Sequence, residues 1–206
     1  LINPRNRSFL LNRTKQRALY AEFLYDNGKD PTSVLELGER DISNVETSST
    51  TDASVLHLKA VMLRIRAMYD YKRRVPNLVL IERGRNVAQS CVEKMPGLVG
   101  CMRELSLLYM IEWKWQILQG KSASSSFLES MEWIWKAISV NSEDFDSRNL
   151  LAELLMLHVE YTQNSLSAKY LEQAKNQLSQ SIRINPKFAK THALMADMKL
   201  IEYLNV

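Results

Sequence analysis

The chain has 206 residues, 46% of them apolar and 24% charged, with a formal net charge of +4. That balance excludes a disordered chain, and no uncharged apolar run approaches the ~20 residues that a membrane-spanning helix needs. Glycine (6) and proline (5) together make up about 5% of the residues against ~12% in an average protein, so long, uninterrupted helices are expected.

Taken in chain order, apolar residues at helical spacing predict nine helices. Five longer ones lie near 5–26, 52–74, 98–119, 145–163 and 188–204, and four shorter ones near 32–47, 77–94, 125–140 and 166–184. Turn signals separate each long helix from the short one after it: "DNGKDP" at 26–31, "RRVPN" at 73–77, "QGKSASSS" at 119–126 and "TQNSLS" at 162–167. In the first of these, Asp30 followed by Pro31 fits a helix N-cap with proline at the first helical position.

The elements recur at a fixed period. Pro4, Thr50, Pro96, Ser142 and Pro186 each follow a helix-like run, at separations of 46, 46, 46 and 44 residues. The same ruler aligns Thr14, Ala60, Ser106, Ala152 and Ala196 in one column of small residues, and Gly38, Gly84, Ser130 and Ala174 in another. A third column is aromatic: Phe23, Tyr69, Trp115 and Tyr161. Small residues at fixed places let two helix axes approach at a crossing point, so each period reads as a helical hairpin.

These residues resemble the tetratricopeptide repeat family. Ala174, Leu178, Ser181 and Pro186 show the small, large apolar, small, proline spacing of that motif's second helix; Ser130, Ile134, Ala137 and Ser142 follow it closely, and Gly84, Ala88, Cys91 and Pro96 more loosely. Leu105-Ser106, Leu151-Ala152 and Met195-Ala196 look like the large-small pair of its first helix. The unit here is about twelve residues longer than the ~34 of a standard repeat. The resemblance implies an all-α, right-handed α-solenoid of about four and a half repeats in a single domain over 1–206: repeats near 5–50, 51–96, 97–142 and 143–186, and a terminal helix over 187–206. A second resemblance, to repeat regions that follow the catalytic domain of some bacterial serine/threonine protein kinases, is carried by Gly28, Asp30 and Pro31 in one repeat. The chain starts as the end of a second helix and stops after a first helix, which reads as a piece of a longer protein; alternatively the last helix is itself a cap, to which Lys187, Lys190, Lys199 and Glu202 are suited.

In tetratricopeptide arrays the first helices line a concave groove. Carried over to this chain, that groove includes Lys15, His57, Arg64, Arg103, Leu107, Met110, Asn149 and Met156. The Lys and Asn pattern with which family members clamp a chaperone carboxylate is absent. The residues present imply a protein or peptide partner, an amphipathic helix or apolar peptide with an acidic group. On the other reading, the same apolar side chains fill the interior of a tightly wound superhelix.

All four tryptophans fall within 113–135. Trp113 shares its column with Ala21, Ala67 and Val159, and Trp115 lies in the aromatic column, so both are expected in the core. Trp133 and Trp135 occupy columns that are mostly polar elsewhere (Asp41, Val87, Gln177; Ser43, Gln89, Ser179), and their rings point about 200° apart on a helix. At least one of them is expected at the surface, where it either anchors a partner or a second copy of the chain or packs on a neighbouring helix.

Charge is uneven: residues 1–103 carry 17 Lys and Arg against 11 Asp and Glu, and 104–206 carry 10 against 12. The clusters Arg5, Arg7, Arg13, Lys15, Arg17 and Arg64, Arg66, Lys72, Arg73, Arg74 suit an acidic surface, while a net +4 with no groove-reading motif makes nucleic acid the weaker expectation. His57, His158 and His192 lack carboxylate or cysteine spacing for a metal, and no phosphate-binding loop, Gly-x-Ser-x-Gly or kinase signature occurs. Cys91 and Cys101 are expected as reduced, packed thiols in a cytoplasmic protein with no signal peptide, no cofactor and no membrane association. Two functions follow: a non-catalytic protein–protein interaction scaffold, or a regulatory or oligomerisation segment of a larger bacterial signalling enzyme such as a serine/threonine kinase.

Overall fold

The computed structural model describes residues 6–46, 52–75, 77–121, 124–162 and 166–204. Among these, nine helices follow in order: α1 (Arg7–Asp26), α2 (Thr32–Glu46), α3 (Ala53–Lys72), α4 (Leu78–Lys94), α5 (Val99–Leu118), α6 (Ser124–Val140), α7 (Phe145–Thr162), α8 (Ser167–Ile184) and α9 (Ala189–Leu204). Their ends agree with the sequence reading to within about two residues, and no described residue lies in a strand. Pro4 and Thr50, two of the five period markers, lie outside the described residues. No helix among the described residues is long and apolar enough to cross a membrane.

Local chemistry fixes where the helices start and stop. Asn6, Asp52 and Asn77 cap α1, α3 and α4, each side chain accepting from the backbone N–H three residues on. Asp30 accepts from Thr32 N at 2.8 Å and Pro31 O from Leu35 N, but α2 begins at Thr32, so proline stands just before the first helical residue and the helix starts one residue later than the Asp-Pro pair predicted. The ends of α1, α3 and α5 close alike. Lys29 N donates to Leu24 O, Val75 N to Asp70 O and Lys121 N to Gln116 O, bonds that span five residues and force the residue before the donor into a left-handed conformation. Those residues are Gly28 (φ 71°), Arg74 (φ 59°) and Gly120 (φ 66°), again 46 apart. Two are glycine, which adopts this backbone at no steric cost; the third is not.

The packing falls into two compact units, one reaching Ser130 and the other starting at Met131, so that the division lies within α6. In the first unit α1 packs on α2 and α3, α3 on α4 and α5, and α4 on α5. In the second, α7, α8 and α9 pack on one another. This is the packing of a helical repeat, with consecutive helices as neighbours.

The small columns sit where helices meet. Thr14, Ala60, Ser106 and Ala152 are fully buried, as are Gly38, Gly84, Ser130 and Ala174. Ser106 Oγ donates to Ser130 O at 2.9 Å and Ser130 Oγ to Ser106 O at 2.8 Å, so the two columns meet directly between α5 and α6. A Cβ at Gly38 would stand 2.9 Å from Met62 Sδ, and one at Gly84 would stand 2.9 Å from Leu108 Cδ2. The glycines therefore admit a large side chain from the first helix of the next repeat.

Two columns depart from the sequence reading. Only Trp115 makes the aromatic column a core position, packing edge-on against Tyr71 at 5.2 Å, whereas Phe23 and Tyr161 are exposed and Tyr69 is half-buried. The polar column with Asp41 and Gln177 faces inward, because an arginine on the preceding helix meets each of those groups. Asp41 accepts from Arg13 Nε at 2.8 Å and Arg17 Nη1 at 2.5 Å; Gln177 Oε1 accepts from Arg148 Nη1 at 2.7 Å. A third correction concerns sulfur. Cys91 and Cys101, both buried, form a disulfide across the α4–α5 turn, where two reduced thiols were expected; their Cα atoms are 6.0 Å apart, within the usual range.

Candidate functional site

The first helices of the first unit carry the groove positions at one helical register, and the structure divides them into two groups. Lys15 on α1 is exposed, and His57 on α3 with Arg103 and Leu107 on α5 are half-buried. Arg64 and Met110 are interior, as are Asn149 and Met156 on α7 in the second unit. Those four have no surface to offer a partner, and the expectation that they bind one is corrected here. The reason is stacking: a first helix flanked by neighbouring helices turns inward the residues that an isolated groove would display.

Arg64 illustrates the difference. Its Nε donates to the buried Glu104 at 2.6 Å and its Nη2 to Glu22, whose side chain is 40% exposed, at 2.9 Å, linking α1, α3 and α5. Burial opposes the guanidinium charge, but Glu104 and Glu22 outweigh it and hold the pKa above the ordinary arginine value. The Met68 sulfur lies 3.2 Å from Nη1. Arg64 is therefore a structural ion pair between repeats rather than a ligand contact. The pairing of Arg64 with Glu22 and Glu104 escaped the sequence reading because the partners sit 42 and 40 residues away, on other repeats.

Beside this pair lies His57. Its ring rests on the first turn of α5, and a Cβ on Gly100 would stand 2.6 Å from His57 Nε2, so only glycine leaves the room. Burial lowers the His57 pKa below the ordinary value; Glu104 counters this, and Arg103, Arg64 and Lys15 add to it. The ring is neutral at pH 7. Lys15, Arg103 and Glu104 thus act electrostatically on one histidine, with Leu11, Leu58, Val61 and Leu107 half-buried on the same three helices. The result is a mixed surface, apolar with cationic borders.

The tryptophans separate as their columns suggested. Trp113 and Trp115 are buried, the former 5.5 Å from Phe127 between ring centres. Trp133 is half-buried with Lys136 Nζ 4.2 Å above its ring, and Trp135 is 40% exposed. Much of the basic excess is spent within the fold. Arg7 pairs with Asp52, Arg13 and Arg17 with Asp41, and Arg85 with Glu112, while Lys72 and Arg73 lie over the rings of Tyr25 and Tyr69. Arg5 lies outside the described residues. Among the described residues no group of three or more His, Cys, Asp and Glu is placed to hold a metal ion.

Comparison of the chain with protein-family models, with curated proteins and with solved structures finds no match to any of them.

Proposed function

We propose that the protein is a non-catalytic scaffold of tetratricopeptide type, a right-handed α-solenoid whose first helices capture a protein or peptide partner. The reading rests on one observation: on three successive first helices, Lys15, His57, Arg103 and Leu107 retain accessible surface while the arginine between them, Arg64, is neutralised by two carboxylates. On this face Lys15 is exposed and Arg103 is half-buried. An amphipathic segment carrying a carboxylate matches them, with its apolar side on Leu58, Val61 and Leu107.

The test is affinity capture followed by mass spectrometry with the wild type and with Lys15→Glu/Arg103→Glu, a double variant that leaves the Arg64 pairs in place. Specific partners should be captured by the wild type and lost from the variant, whose circular dichroism should be unchanged. Capture unaffected by the charge reversal would sink the reading. A second reading, a segment that associates with itself within a larger signalling enzyme, is favoured by the exposed ring of Trp135. Sedimentation equilibrium of wild type and Trp135→Ala decides it, since only an interface at that ring gives a dimer that the substitution dissociates.

A further inference from the structure

At each junction between hairpins the repeat register sets two positions side by side, one in the last turn of a second helix and the other at the third residue of the next first helix. At the first junction these are Val45 and Val55, both buried in one core cluster. At the third they are Ala137 and Ser147, buried as well, and at the fourth Ser181 and Thr191, whose hydroxyl oxygens lie 3.2 Å apart. Packing and hydrogen bonding close those three junctions with no covalent link between the paired positions. At the second junction, between α4 and α5, the same two places hold Cys91 and Cys101, joined as a disulfide. The fold therefore does not require a bond there, and the pair adds a chemistry that the other junctions lack.

Three helices meet at this bond. Both sulfurs are buried, and Cys91 Sγ lies 3.2 Å from Ala53 O in the first turn of α3, a carbonyl to which a thiol at that place donates, so the site accommodates the reduced pair as well. Ala53 stands one turn before His57 on α3, while Cys101 follows Gly100, on which the His57 ring rests, and precedes Arg103 by two residues on α5. The cover over the bond is thin, since Lys94, Met95, Pro96 and Gly97 in the connecting segment are exposed. We infer that Cys91 and Cys101 are a reversible redox switch: the disulfide clamps the first turn of α5 onto α3 and α4, and its reduction loosens that turn together with the His57 and Arg103 face. Two molecules of a low-molecular-weight thiol such as glutathione supply the two electrons. The thiolate of the first attacks one cysteine sulfur, the S–S bond breaks, and the other cysteine leaves as a thiolate that takes up a proton. The second attacks the mixed disulfide, releasing the first cysteine as a thiol and the reductant as its own disulfide. Control of a partner by this switch rests on the function proposed above for that face; the switch itself does not.

The test equilibrates the whole 206-residue chain, without any partner, in glutathione buffers running from oxidising to reducing. Acid quenching, alkylation and mass measurement give the bridged fraction, and hydrogen exchange is followed in the two end states. The bond should form and break reversibly with helical circular dichroism unchanged. Reduction should speed amide exchange about tenfold or more in 53–57 and 98–104 and leave α7, α8 and α9 as they were. Cys91→Ala/Cys101→Ala should give the reduced pattern in every buffer. Loss of helical signal on reduction overturns the inference, because the bond is then an obligatory staple, and so does exchange that is identical in both states or a pair that glutathione neither opens nor closes. These readouts need no partner, so they stand whether or not Lys15→Glu/Arg103→Glu abolishes capture. Where the wild type does capture a partner, equal yields from the oxidised and the reduced chain overturn the control of that face.

Discussion

At the scale of single residues, backbone conformation gives the sharpest expectation. Gly28, Arg74 and Gly120 hold equivalent turn positions at positive φ, but only arginine pays a steric cost there. Arg74→Gly should therefore stabilise the protein by about 1 kcal/mol, raising Tm by roughly 2–4 °C in a thermal melt, while Gly28→Ala and Gly120→Ala should lower it by a similar amount. Titration gives a second expectation. Burial lowers the pKa of His57 and of His158, so between the folded value and about 6.5 the unfolded chain binds more protons than the folded one. Stability is fully present above about pH 6.5 and declines as pH falls below it. The hydrogen bonds from Thr32 that lower the Asp30 pKa act in a separate window, below the ordinary aspartate value. Melts at pH 7 and pH 5.5 should show the first decline in the wild type, and a shallower one in His57→Gln/His158→Gln.

At the scale of elements, the two inter-helix charge clusters should respond differently to truncation. Arg64 and Glu104 are both buried, with side chains 7% and 8% exposed, so Arg64→Ala strands a carboxylate in the interior and should cost about 3–5 kcal/mol. Asp41 is equally buried, but its partners Arg13 and Arg17 have side chains 37% and 23% exposed and can turn to solvent. Asp41→Ala should cost less, about 1–3 kcal/mol. Chemical denaturation of the two variants checks the order, and a larger loss for Asp41→Ala contradicts this account of solvation. The hydroxyl pair of Ser106 and Ser130 belongs to the same class of contact. Its columns were legible in the sequence as small residues, yet the reciprocal hydrogen bonds were not, because no other repeat has serine at both places.

At the scale of the whole molecule, a chain whose helices pack mainly on their sequence neighbours transmits damage over short distances. Arg64→Ala should lower amide protection from hydrogen exchange in α1, α3 and α5 and leave α7, α8 and α9 close to wild type. Equal loss of protection across both compact units would show that the chain opens as one cooperative body.

The nine helices among the described residues, their turns and the period of about 46 residues were legible in the sequence. Those follow from local causes: apolar spacing, capping side chains and glycine at positive φ act within a few residues of one another. Register likewise placed Trp113 in the core and required at least one of Trp133 and Trp135 to reach the surface, while the packing decided that it is Trp135. Which groove residues remain available was decided by the tertiary structure alone. Arg64 reads as a surface cation until Glu22 and Glu104 arrive from neighbouring repeats, and Asp41 reads as a solvent-facing acid until Arg13 and Arg17 reach it.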